Sequence, residues 1–408
     1  MIIKNYERFC RDSGMILCHM VDVFINNEKV VVLNTASDNI ECVYIEVDEY
    51  QRGKLKPSRN CIILKYKVVY LNKTTKVFEV ARRLININIG SFYRDLALEL
   101  YFILNFNINS LVPSNELKRL NKSHKLECKR VKKNIFSLFD KVINRFFKRD
   151  EWMIAFCKCI IAPEKISSSF EKFNIIPNLK GTFSADPFII ENQGGVYIFY
   201  EECSLKRGAR GILACYDLAE NKRYIILQEP HHLSYPNVFN YMGTYFMIPQ
   251  SENHSIDLYR ATDFPFCWKK ERVLLTDKNF NFGDTNIYFS ECGSILLTSN
   301  IYDHVANSNR IRVGWKIENL LDDKLKIIDC TVLDISDEYS RNAGNSISLD
   351  SQIYQECSST YGGGLVIKKN KKIIYTRLPK GFQGMHTYNT SENFTVIDLK
   401  KTKYGFFL

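Results

Sequence analysis

The chain has 408 residues, of which 45% are apolar and 13% aromatic, so it is long and apolar enough to bury the cores of two globular domains. Its thirteen cysteines contain no CxxC pair and its seven histidines no zinc-type spacing, which argues against a disulfide framework and a structural metal site. The net charge of +11 leaves anionic membranes and nucleic acid as partners to be weighed.

The N-terminal region, 1–115, is predicted to be a small mixed α/β unit. Runs rich in β-branched residues indicate strands at 21–35 and 59–72, and apolar residues at helical spacing indicate helices at 75–84 and 93–104. A single histidine and no glycine-rich phosphate loop accompany these elements, so no chemistry is predicted here. The first residues are charged and no apolar run reaches about 18 residues, which predicts a cytoplasmic protein, soluble or peripheral at the inner face of a membrane.

Residues 116–151 are predicted to form a basic helical linker. From Glu116 to Asp150 there are twelve Lys or Arg residues against four acids, and apolar residues recur at helical spacing between 134 and 150. One interpretation is an interdomain helix that packs its apolar face on its own protein. The other is an amphipathic helix that lies on an anionic membrane surface. No nucleic-acid motif accompanies the charge, so nucleic acid is not a predicted partner.

From Trp152 onward, short β-type runs alternate with turn residues and contain a repeat. Five segments share one form, in which a polar residue opens an apolar strand, a turn follows, and a second apolar strand returns. The opening residues are Asp186, Tyr235, Asp284, Arg341 and His386, at intervals of 49, 49, 57 and 45 residues. A period near about fifty with four strands per unit is typical of a propeller blade. The fold predicted for 152–408 is therefore a mainly β, five-bladed β-propeller.

The five opening residues are predicted to converge, because the innermost strands of a propeller begin at one mouth of its central channel. Carboxylates, a guanidinium, an imidazole and a phenol around one concavity favour a polyhydroxylated or anionic ligand. Each residue alone also fits a structural role: Asp186 before a proline suits a turn, and His386 could hydrogen-bond a neighbouring blade. Their equivalent places in the repeat favour the functional interpretation.

Several ordered motifs resemble one known family. FSADPF, GGVYIFYEE, HHLSYPNVF, GDTNIYF, SRNAG, QECSSTYGGG and GMHTYN are similar to the propeller domain found N-terminally in plant glucosamine inositolphosphorylceramide transferase and in bacterial proteins of surface-polysaccharide synthesis. The resemblance covers Trp152 to Asp398. That domain is in turn similar to the five-bladed propellers of arabinanases, xylosidases and levansucrases.

The resemblance implies roles for individual residues. In those hydrolases an Asp-Pro in the first blade supplies the general base or nucleophile, which makes Asp186 the reactive carboxylate and Asp284 a second acid that orients the sugar. Glu201 is the third catalytic candidate, because glycoside chemistry needs two carboxyl groups and strand alternation sends one of Glu201 and Glu202 inward and the other into solvent. The predicted substrate-binding residues are His232, Tyr235, Arg341, Gln355, Tyr361 and His386.

The chain also departs from the family pattern. Gln250 stands where the resembling domains usually have Glu, and Gln352 where they usually have Arg. This paired loss of opposite charges suggests an ion pair or one shared ligand group, and hence a changed substrate or lost activity. The general-acid Glu of the hydrolases has no counterpart near Arg341, which counts against simple hydrolysis. Bacterial relatives often carry a formyltransferase-like domain in front; such ancestry of residues 1–115 would be a catalytically dead remnant.

Three functions remain open. The first is a glycosyltransferase or transferase-associated protein of surface-polysaccharide or glycolipid synthesis, with Asp186 and Asp284 at the donor sugar, Arg341 and His232 on phosphate or hydroxyls, and the basic helix near a lipid-linked acceptor. The second, less favoured, is a glycoside hydrolase with the same site. The third is a non-catalytic glycan-binding or scaffold propeller. The predicted ligand is a sugar or nucleotide sugar, with neither cofactor nor metal.

Overall fold

The computed structural model describes the backbone at 19–25, 28–35, 39–47, 50–51, 54–55, 61–83, 96, 99–100, 102–103, 107–108 and 148–404, except for 207, 278–279, 291–292, 304–307, 322–324, 337–339, 346, 350–351, 359–364 and 370–371. Side chains are described for most of these residues, but not at 19–35, 47, 50–55, 61–63, 81–83, 107–108, 148, 303, 308–309 or 346–375. The described part is mainly β, as the sequence predicts.

A sheet of five strands comes first. Its strands are β1 (His19–Ile25), β2 (Glu28–Thr35), β3 (Ile40–Val47), β6 (Cys61–Tyr70) and β7 (Thr75–Arg83), in the order β2-β1-β3-β6-β7, beside a short pair, β4 (Tyr50–Gln51) and β5 (Lys54–Leu55). Within this described sheet β1 and β3 run parallel, and the other neighbours run antiparallel. Helical residues at 96, 99–100 and 102–103 agree with the helix predicted there.

Antiparallel sheets follow one another along the rest of the chain. The first contains β11 (Thr182–Asn192), β12 (Gly195–Ser204), β13 (Gly211–Asp217) and β14 (Lys222–Leu227). The second contains β15 (Leu233–Tyr241), β16 (Thr244–Ser251), β17 (Ser255–Asp263) and β18 (Cys267–Thr276). The third contains β19 (Asn281–Phe289), β20 (Ile295–Asp303), β21 (Ser308–Ile317) and β22 (Ile327–Ile335), and β22 also pairs in parallel with β8 (Asn107–Ile108). The fourth contains β23 (Arg341–Asn342), β24 (Ile347–Leu349), β25 (Gln352–Ser358), β26 (Leu365–Lys369) and β27 (Lys372–Tyr375).

The fifth sheet is built from both ends of this region. The C-terminal end supplies β28 (Tyr388–Thr390) and β29 (Thr395–Tyr404), while β9 (Lys148–Cys157) and β10 (Asn174–Ile176) precede the first sheet. The order is β10-β9-β29-β28, so backbone hydrogen bonds between β9 and β29 join the two ends. Two short 3-10 helices, Pro163–Lys165 and Phe170–Lys172, lie between β9 and β10. The repeat pattern in the sequence does not show this joining.

One strand from each of the five sheets, the inner strand, lies beside the inner strand of the next sheet. β11 touches β15, β15 touches β19, β19 touches β23, and β11 also touches β28. The N–H of Tyr388 donates to Ala343 O at 2.8 Å, which connects β28 to the segment after β23. The contacts therefore return to their starting point, and sheets of this kind fit the blades of a propeller.

Two hairpins carry the turn that their strands require. Gln193–Gly194 joins β11 to β12 with φ values of 48° and 82°, and Met242–Gly243 joins β15 to β16 with φ values of 52° and 79°. Positive φ at both central positions is the type I′ turn, whose twist matches that of the strands, and glycine adopts it without steric cost. These turns fix the register that brings the opening residue of each inner strand to the same end.

The N-terminal sheet shares a core with the second and third sheets. One apolar cluster contains buried residues of β3 and β6 together with residues of β17 and β21. Within this junction Arg310 Nη2 lies 3.0 Å from Glu99 Oε1, and the Tyr66 hydroxyl donates a hydrogen bond to the same carboxylate. The buried carboxylate therefore has a cation and a donor beside it, which makes its burial tolerable.

Two predicted helices need revision. Residues 75–83 form the strand β7, because pairing along β6 and burial of Val80 outweigh the helical spacing of the apolar residues. Lys148–Asp150 begin β9, so a basic helix cannot extend to 150, and 134–147 lie outside the described residues. In the described part of the chain no helix has the length and apolar character needed to cross a membrane.

Candidate functional site

The inner strands of the first three sheets share a bulge at the repeated opening residue. Antiparallel pairing skips two residues in each strand, and the first of the two is Asp186, Tyr235 or Asp284. Their φ values of 53°, 48° and 49° lie in the left-handed region that non-glycine residues seldom occupy. Such conformations persist where the surrounding structure enforces them, and a bulge re-aims the side chain. A common backbone geometry therefore underlies the sequence repeat.

The opening residues of all five sheets meet in one cluster. His386 Nδ1 lies 2.6 Å from Asp186 Oδ1, and Arg341 Nε lies 2.5 Å from Asp284 Oδ2. His386 Nε2 is 3.8 Å from Asp284 Oδ2, and the ring centroids of His386 and Tyr235 are 5.9 Å apart. Residues up to 200 positions apart in the sequence are thus brought together.

Asp186 has one oxygen held by protein donors and one oxygen with free capacity. Its Oδ1 accepts hydrogen bonds from His386 Nδ1 at 2.6 Å and from Thr387 Oγ1 at 3.1 Å, whereas no described residue donates to Oδ2. Burial alone would raise the pKa of Asp186, but the charge on His386, the hydrogen bond from its ring and the charge on Arg341 lower it. Asp186 is therefore ionised at neutral pH.

Asp398 is a site residue that the sequence analysis missed. Its Oδ2 accepts the N–H of Asp186 at 3.1 Å, and its Oδ1 accepts the N–H groups of His386 at 2.7 Å and Thr387 at 2.8 Å. This side chain fixes the backbone on both sides of the pair formed by Asp186 and His386. The sequence did contain one indication of this role, because Asp398 is an acid within the otherwise apolar first half of β29.

Similar side-chain contacts hold the inner strands of other sheets. Gln250 Oε1 accepts the N–H of Asp284 at 2.9 Å, and Asn300 Oδ1 accepts the N–H of Asn342 at 2.9 Å. Gln250 thus supports the bulge at Asp284. The side chain of Gln352 lies outside the described residues, so the hypothesis of a paired charge loss stays a prediction.

Glu201 is a buried carboxyl group that holds no strand in this way. Glu201 in β12 and Gln250 in β16 have equivalent positions, because each pairs with the residue before the bulge of its neighbouring inner strand. Unlike Gln250, however, Glu201 accepts no hydrogen bond from a described residue. The nearest partner is His232, whose Nε2 lies 3.6 Å from Oε1. Burial, followed by the negative charge of Asp186, raises the pKa of Glu201 well above its usual value. Its neighbourhood therefore favours the protonated acid.

Glu202 is not in solvent, contrary to the prediction. It is buried, and both of its oxygens accept hydrogen bonds from the guanidinium of Arg223, including Nη2 at 2.5 Å. Strand alternation does send Glu201 and Glu202 to opposite faces of the sheet. The prediction failed on exposure because Arg223, two strands away in β14, covers the outer glutamate.

Arg341 is committed to Asp284. Its Nε and Nη2 lie 2.5 Å and 3.3 Å from the two carboxylate oxygens, and the Asp284 side chain is 2% exposed. Burial would lower the pKa of Arg341, but the charge and hydrogen bonds of Asp284 outweigh it and raise that pKa. The guanidinium therefore balances a buried carboxylate, while its Nη1 group contacts no described residue.

Arg341→Lys is expected to lower the free energy of unfolding by about 1–3 kcal/mol and to weaken ligand binding, because an ammonium group cannot reproduce the two-point contact with a buried carboxylate. Arg223→Lys is the matched control: its side chain has the same exposure, 22%, and makes the same kind of contact with Glu202. Thermal unfolding should show both losses, whereas a binding assay should respond to Arg341→Lys alone. Full binding by Arg341→Lys would make Arg341 purely structural.

The remaining predicted residues fall into two groups. Tyr235 is fully buried; its hydroxyl donates to Asn286 Oδ1 at 2.9 Å and accepts the N–H of Gly344 at 2.7 Å, so it packs and fixes the cluster rather than facing a ligand. The side chain of Gln355 and all of Tyr361 lie outside the described residues, so their substrate-binding roles stay predictions.

Asp186, His386 and Asp398 offer candidate metal-ligand atoms within 4.8 Å of one another, as no other set in the described residues does. The hydrogen-bonded oxygens of both aspartates already accept protein donors, and the imidazole donates to Asp186. A cation would have to displace these donors, and a metal-bound His386 would have to lose its ring proton. The arrangement fits an ion pair better than a metal centre.

The family model described as glucosamine inositolphosphorylceramide transferase 1, N-terminal, matches residues 174–379. The protein of that name from Arabidopsis thaliana is 38% identical over 102 residues, which are 24% of this chain and 13% of that protein. Its counterpart from Oryza sativa subsp. japonica is 29% identical over 203 residues, or 47% of this chain and 26% of that protein. The matches therefore span about a quarter of these relatives or less, and the resemblance predicted from the motifs is confirmed.

Solved structures give weaker likenesses. An α-L-arabinofuranosidase from Podospora anserina is 11% identical with a TM-score of 0.40, covering 55% of this chain and 93% of that chain. A protein of unknown function from Dyadobacter fermentans is 8% identical with a TM-score of 0.38, covering 96% of this chain and 99% of that chain. Scores at this level add nothing to the fold described above and indicate no activity.

Proposed function

The chain belongs to the family of the N-terminal region of glucosamine inositolphosphorylceramide transferase 1, and on that premise we propose that it is a carbohydrate-active module of glycolipid or surface-polysaccharide synthesis. Its sugar ligand binds at the cluster of Asp186, Glu201 and Asp284. The relatives are far longer than the matched segment, so transfer by this segment itself is part of the proposal.

The architecture proposed for this function is a five-bladed propeller. The five sheets whose inner strands touch one another are its blades, and the sheet made from β9 and β10 with β28 and β29 closes the ring. The bulges at Asp186, Tyr235 and Asp284 lie at the same end of their strands, so that end is the mouth of the channel. Radial packing explains why residues so distant in sequence share one site.

One observation carries the proposed chemistry: two neighbouring carboxyl groups are pushed toward opposite protonation states. Asp186 is ionised and no described residue donates to its Oδ2, while Glu201 favours its proton and accepts no hydrogen bond from a described residue. Glycosyl transfer needs this division of labour. Glu201 gives its proton to the departing glycosidic oxygen, which leaves as an uncharged hydroxyl group. Asp186 takes the proton of the acceptor hydroxyl as that oxygen bonds to the sugar carbon, or it attacks the sugar carbon itself. In the second case the acceptor hydroxyl displaces Asp186 in a further step, and Glu201 takes up the hydroxyl proton.

A second candidate is a non-catalytic glycan-binding module. The observation that favours it is the satisfaction of Asp284 by Arg341 and of Asp186 Oδ1 by His386, since such pairs also stabilise a resting scaffold. In that case Glu201 would serve as a donor to a sugar hydroxyl instead of a proton source.

A ligand panel tests the proposed function. Thermal unfolding of the full chain is followed with nucleotide sugars, free monosaccharides and polysaccharide fragments, and products are identified by mass spectrometry with a lipid-linked acceptor present. The expected result is stabilisation by a sugar ligand together with a transferred glycosyl group, both absent in Asp186→Ala. Stabilisation by free glycan without any product would favour the binding module, and release of free sugar would favour hydrolysis.

The acceptor is proposed to lie at an anionic membrane surface on the cytoplasmic side. The support is the excess of twelve basic over four acidic residues between Glu116 and Asp150, which a lipid surface attracts at a distance of about 10 Å in 0.1 M salt.

A further inference from the structure

The cations at the mouth are already paired. Arg341 contacts Asp284 and the His386 ring contacts Asp186, so both of these cations neutralise a carboxylate of the protein. Besides Arg341 Nη1, three polar groups there have hydrogen-bonding capacity that no described residue uses: Asp186 Oδ2, the Glu201 carboxyl and Nε2 of His232. One is an acceptor, one an acid and one a ring nitrogen, which is a set suited to hydroxyl groups.

His232 is held in one tautomer by the backbone beside it. The N–H of Gly211 donates to Nδ1 at 2.8 Å, so Nδ1 is an acceptor and the hydrogen of the neutral ring sits on Nε2. Nε2 lies 3.6 Å from Glu201 Oε1, which is too long for a hydrogen bond but close enough for both groups to reach one ligand oxygen. The side chain is 25% exposed, so a ligand has access to it.

Gly211 is the residue that makes this contact possible. A Cβ at this position would lie 2.4 Å from Leu233 O and 2.8 Å from both Glu201 Oε1 and His232 Cε1. Real Cβ atoms do not approach backbone oxygens so closely. The absence of a side chain therefore lets the N–H reach the imidazole while Glu201 stays beside it.

Four titratable groups face the ring: Glu201, Glu252, Asp186 and His231. Burial lowers the pKa of His232, and His231 adds to the lowering, while Glu252 and Asp186 oppose it without reversing it. Protonation would also place a hydrogen on Nδ1 and break the bond from Gly211. The geometry and the charges thus both indicate that the His232 ring is still neutral at the pH at which an ordinary histidine begins to take up a proton.

We infer that the Nε2–H group of His232 and the carboxyl of Glu201 together bind an uncharged hydroxyl group, so that the inner mouth selects a bare sugar ring over a phosphate. The inference rests on the proposed function only in taking a sugar as the ligand class. A phosphate placed there would meet the negative Asp186, and the nearby cations are already paired. A phosphate carried by the same ligand would lie outside this inner mouth.

The first test is the ring itself. Proton–nitrogen correlation spectra of the seven histidine side chains in the full chain identify His232 by the signal lost in His232→Gln. The expected result is a neutral ring with its hydrogen on Nε2, which takes up a second proton only at a pH below the ordinary histidine pKa of about 6.5. Titration near about 6.5, or a proton on Nδ1, would overturn the inference.

The second test uses matched probes: myo-inositol and N-acetylglucosamine, each compared with its 1-phosphate. The uncharged member of each pair should move the His232 signals more than the phosphate does. His232→Phe should weaken that binding about tenfold, as expected for one lost hydrogen bond, and His232→Gln, which keeps a neutral donor, should restore most of it. Preference for the phosphates, or no response to any probe, would contradict the inference.

The two proposals can fail separately. If the uncharged probes move the His232 signals and no glycosyl product forms, the selection of a bare sugar ring stands and transfer does not. If transfer occurs and the phosphates bind preferentially at His232, transfer stands and the selection fails.

Discussion

Asp186→Asn is expected to reduce turnover by about 10²- to 10⁴-fold, the usual contribution of a positioned acid or base, with the fold intact at about pH 8. Asparagine tolerates the φ of 53° at this bulge, and its amide oxygen can still accept from His386 and Thr387. The variant loses only the charge, so it distinguishes a reactive role of Asp186 from a role in the turn. Turnover of the sugar found in the ligand panel is measured beside circular dichroism and thermal unfolding.

Asp217→Asn is the matched control in the same sheet. Asp217 is 6% exposed against 5% for Asp186. It is the last residue of β13, where its Oδ1 accepts the N–H groups of Ala219 and Glu220. Its loss of charge should cost about 1 kcal/mol of stability and leave turnover unchanged. If Asp186→Asn behaves in the same way, Asp186 is a turn residue and the proposed chemistry is wrong.

The Asp186 variant also changes how stability depends on pH. Burial and Arg341 lower the pKa of His386, but Asp186 and Asp284 outweigh them and raise it. In the native chain this pair therefore stabilises the fold below about pH 6.5, and the contribution is lost as pH rises through the folded pKa. Without the Asp186 charge the pKa of His386 should fall, so the variant should lose stability as pH decreases below about 6.5.

The repeat could be read from the sequence because one backbone device recurs. A bulge whose first residue has a positive φ places Asp186 and Asp284 at equivalent points of their strands. Hairpin turns with glycine fix the register around them. Spacing near fifty residues with alternating apolar strands follows directly from that geometry. The sequence alone therefore predicts that the opening residues converge at one end of the strands.

Other features depend on contacts between segments far apart in the chain. Asp398 binds the N–H of Asp186 across 212 positions, and Arg223 covers Glu202 from two strands away. Residues 75–83 carry apolar side chains compatible with either a helix or a strand, and pairing with β6 decides between them. Local patterns do not contain such partners, so the role of Asp398 and the burial of Glu202 could not be predicted.

The charge state of the site was likewise beyond the sequence. Arg341 and His386 could each have faced a ligand anion, and it is their pairing with Asp284 and Asp186 that makes the mouth nearly neutral. The sequence does not mark Gly211 as a site residue, yet its N–H determines which nitrogen of His232 carries the hydrogen. The properties of this site therefore depend on the residues that contact the motif residues more than on the motif residues themselves.

Glu201→Gln is expected to increase stability at neutral pH and to abolish turnover. Burial, followed by the charge of Asp186, raises the pKa of Glu201 far above 4.5, so the folded state holds a proton that the unfolded state releases. The contribution of Glu201 to stability is fully present below about pH 4.5 and is lost as pH rises through the folded pKa. Glutamine does not titrate, so its advantage should grow across that window by roughly 1.4 kcal/mol per pH unit. The same change removes the proton that transfer needs.

Glu202→Gln is the control with the opposite expected sign. Glu201 and Glu202 are adjacent and equally buried, at 6% exposure each, but Glu202 is ionically paired with Arg223. Removing its charge should lower the free energy of unfolding by about 1–2 kcal/mol at neutral pH and leave turnover intact, since one partner of a partly buried pair is lost. Both variants are compared by chemical denaturation between about pH 4 and 8. A Glu201→Gln curve that runs parallel to the native one would mean that Glu201 is already ionised in the folded protein, and the acid in the proposed transfer would then have to be another group.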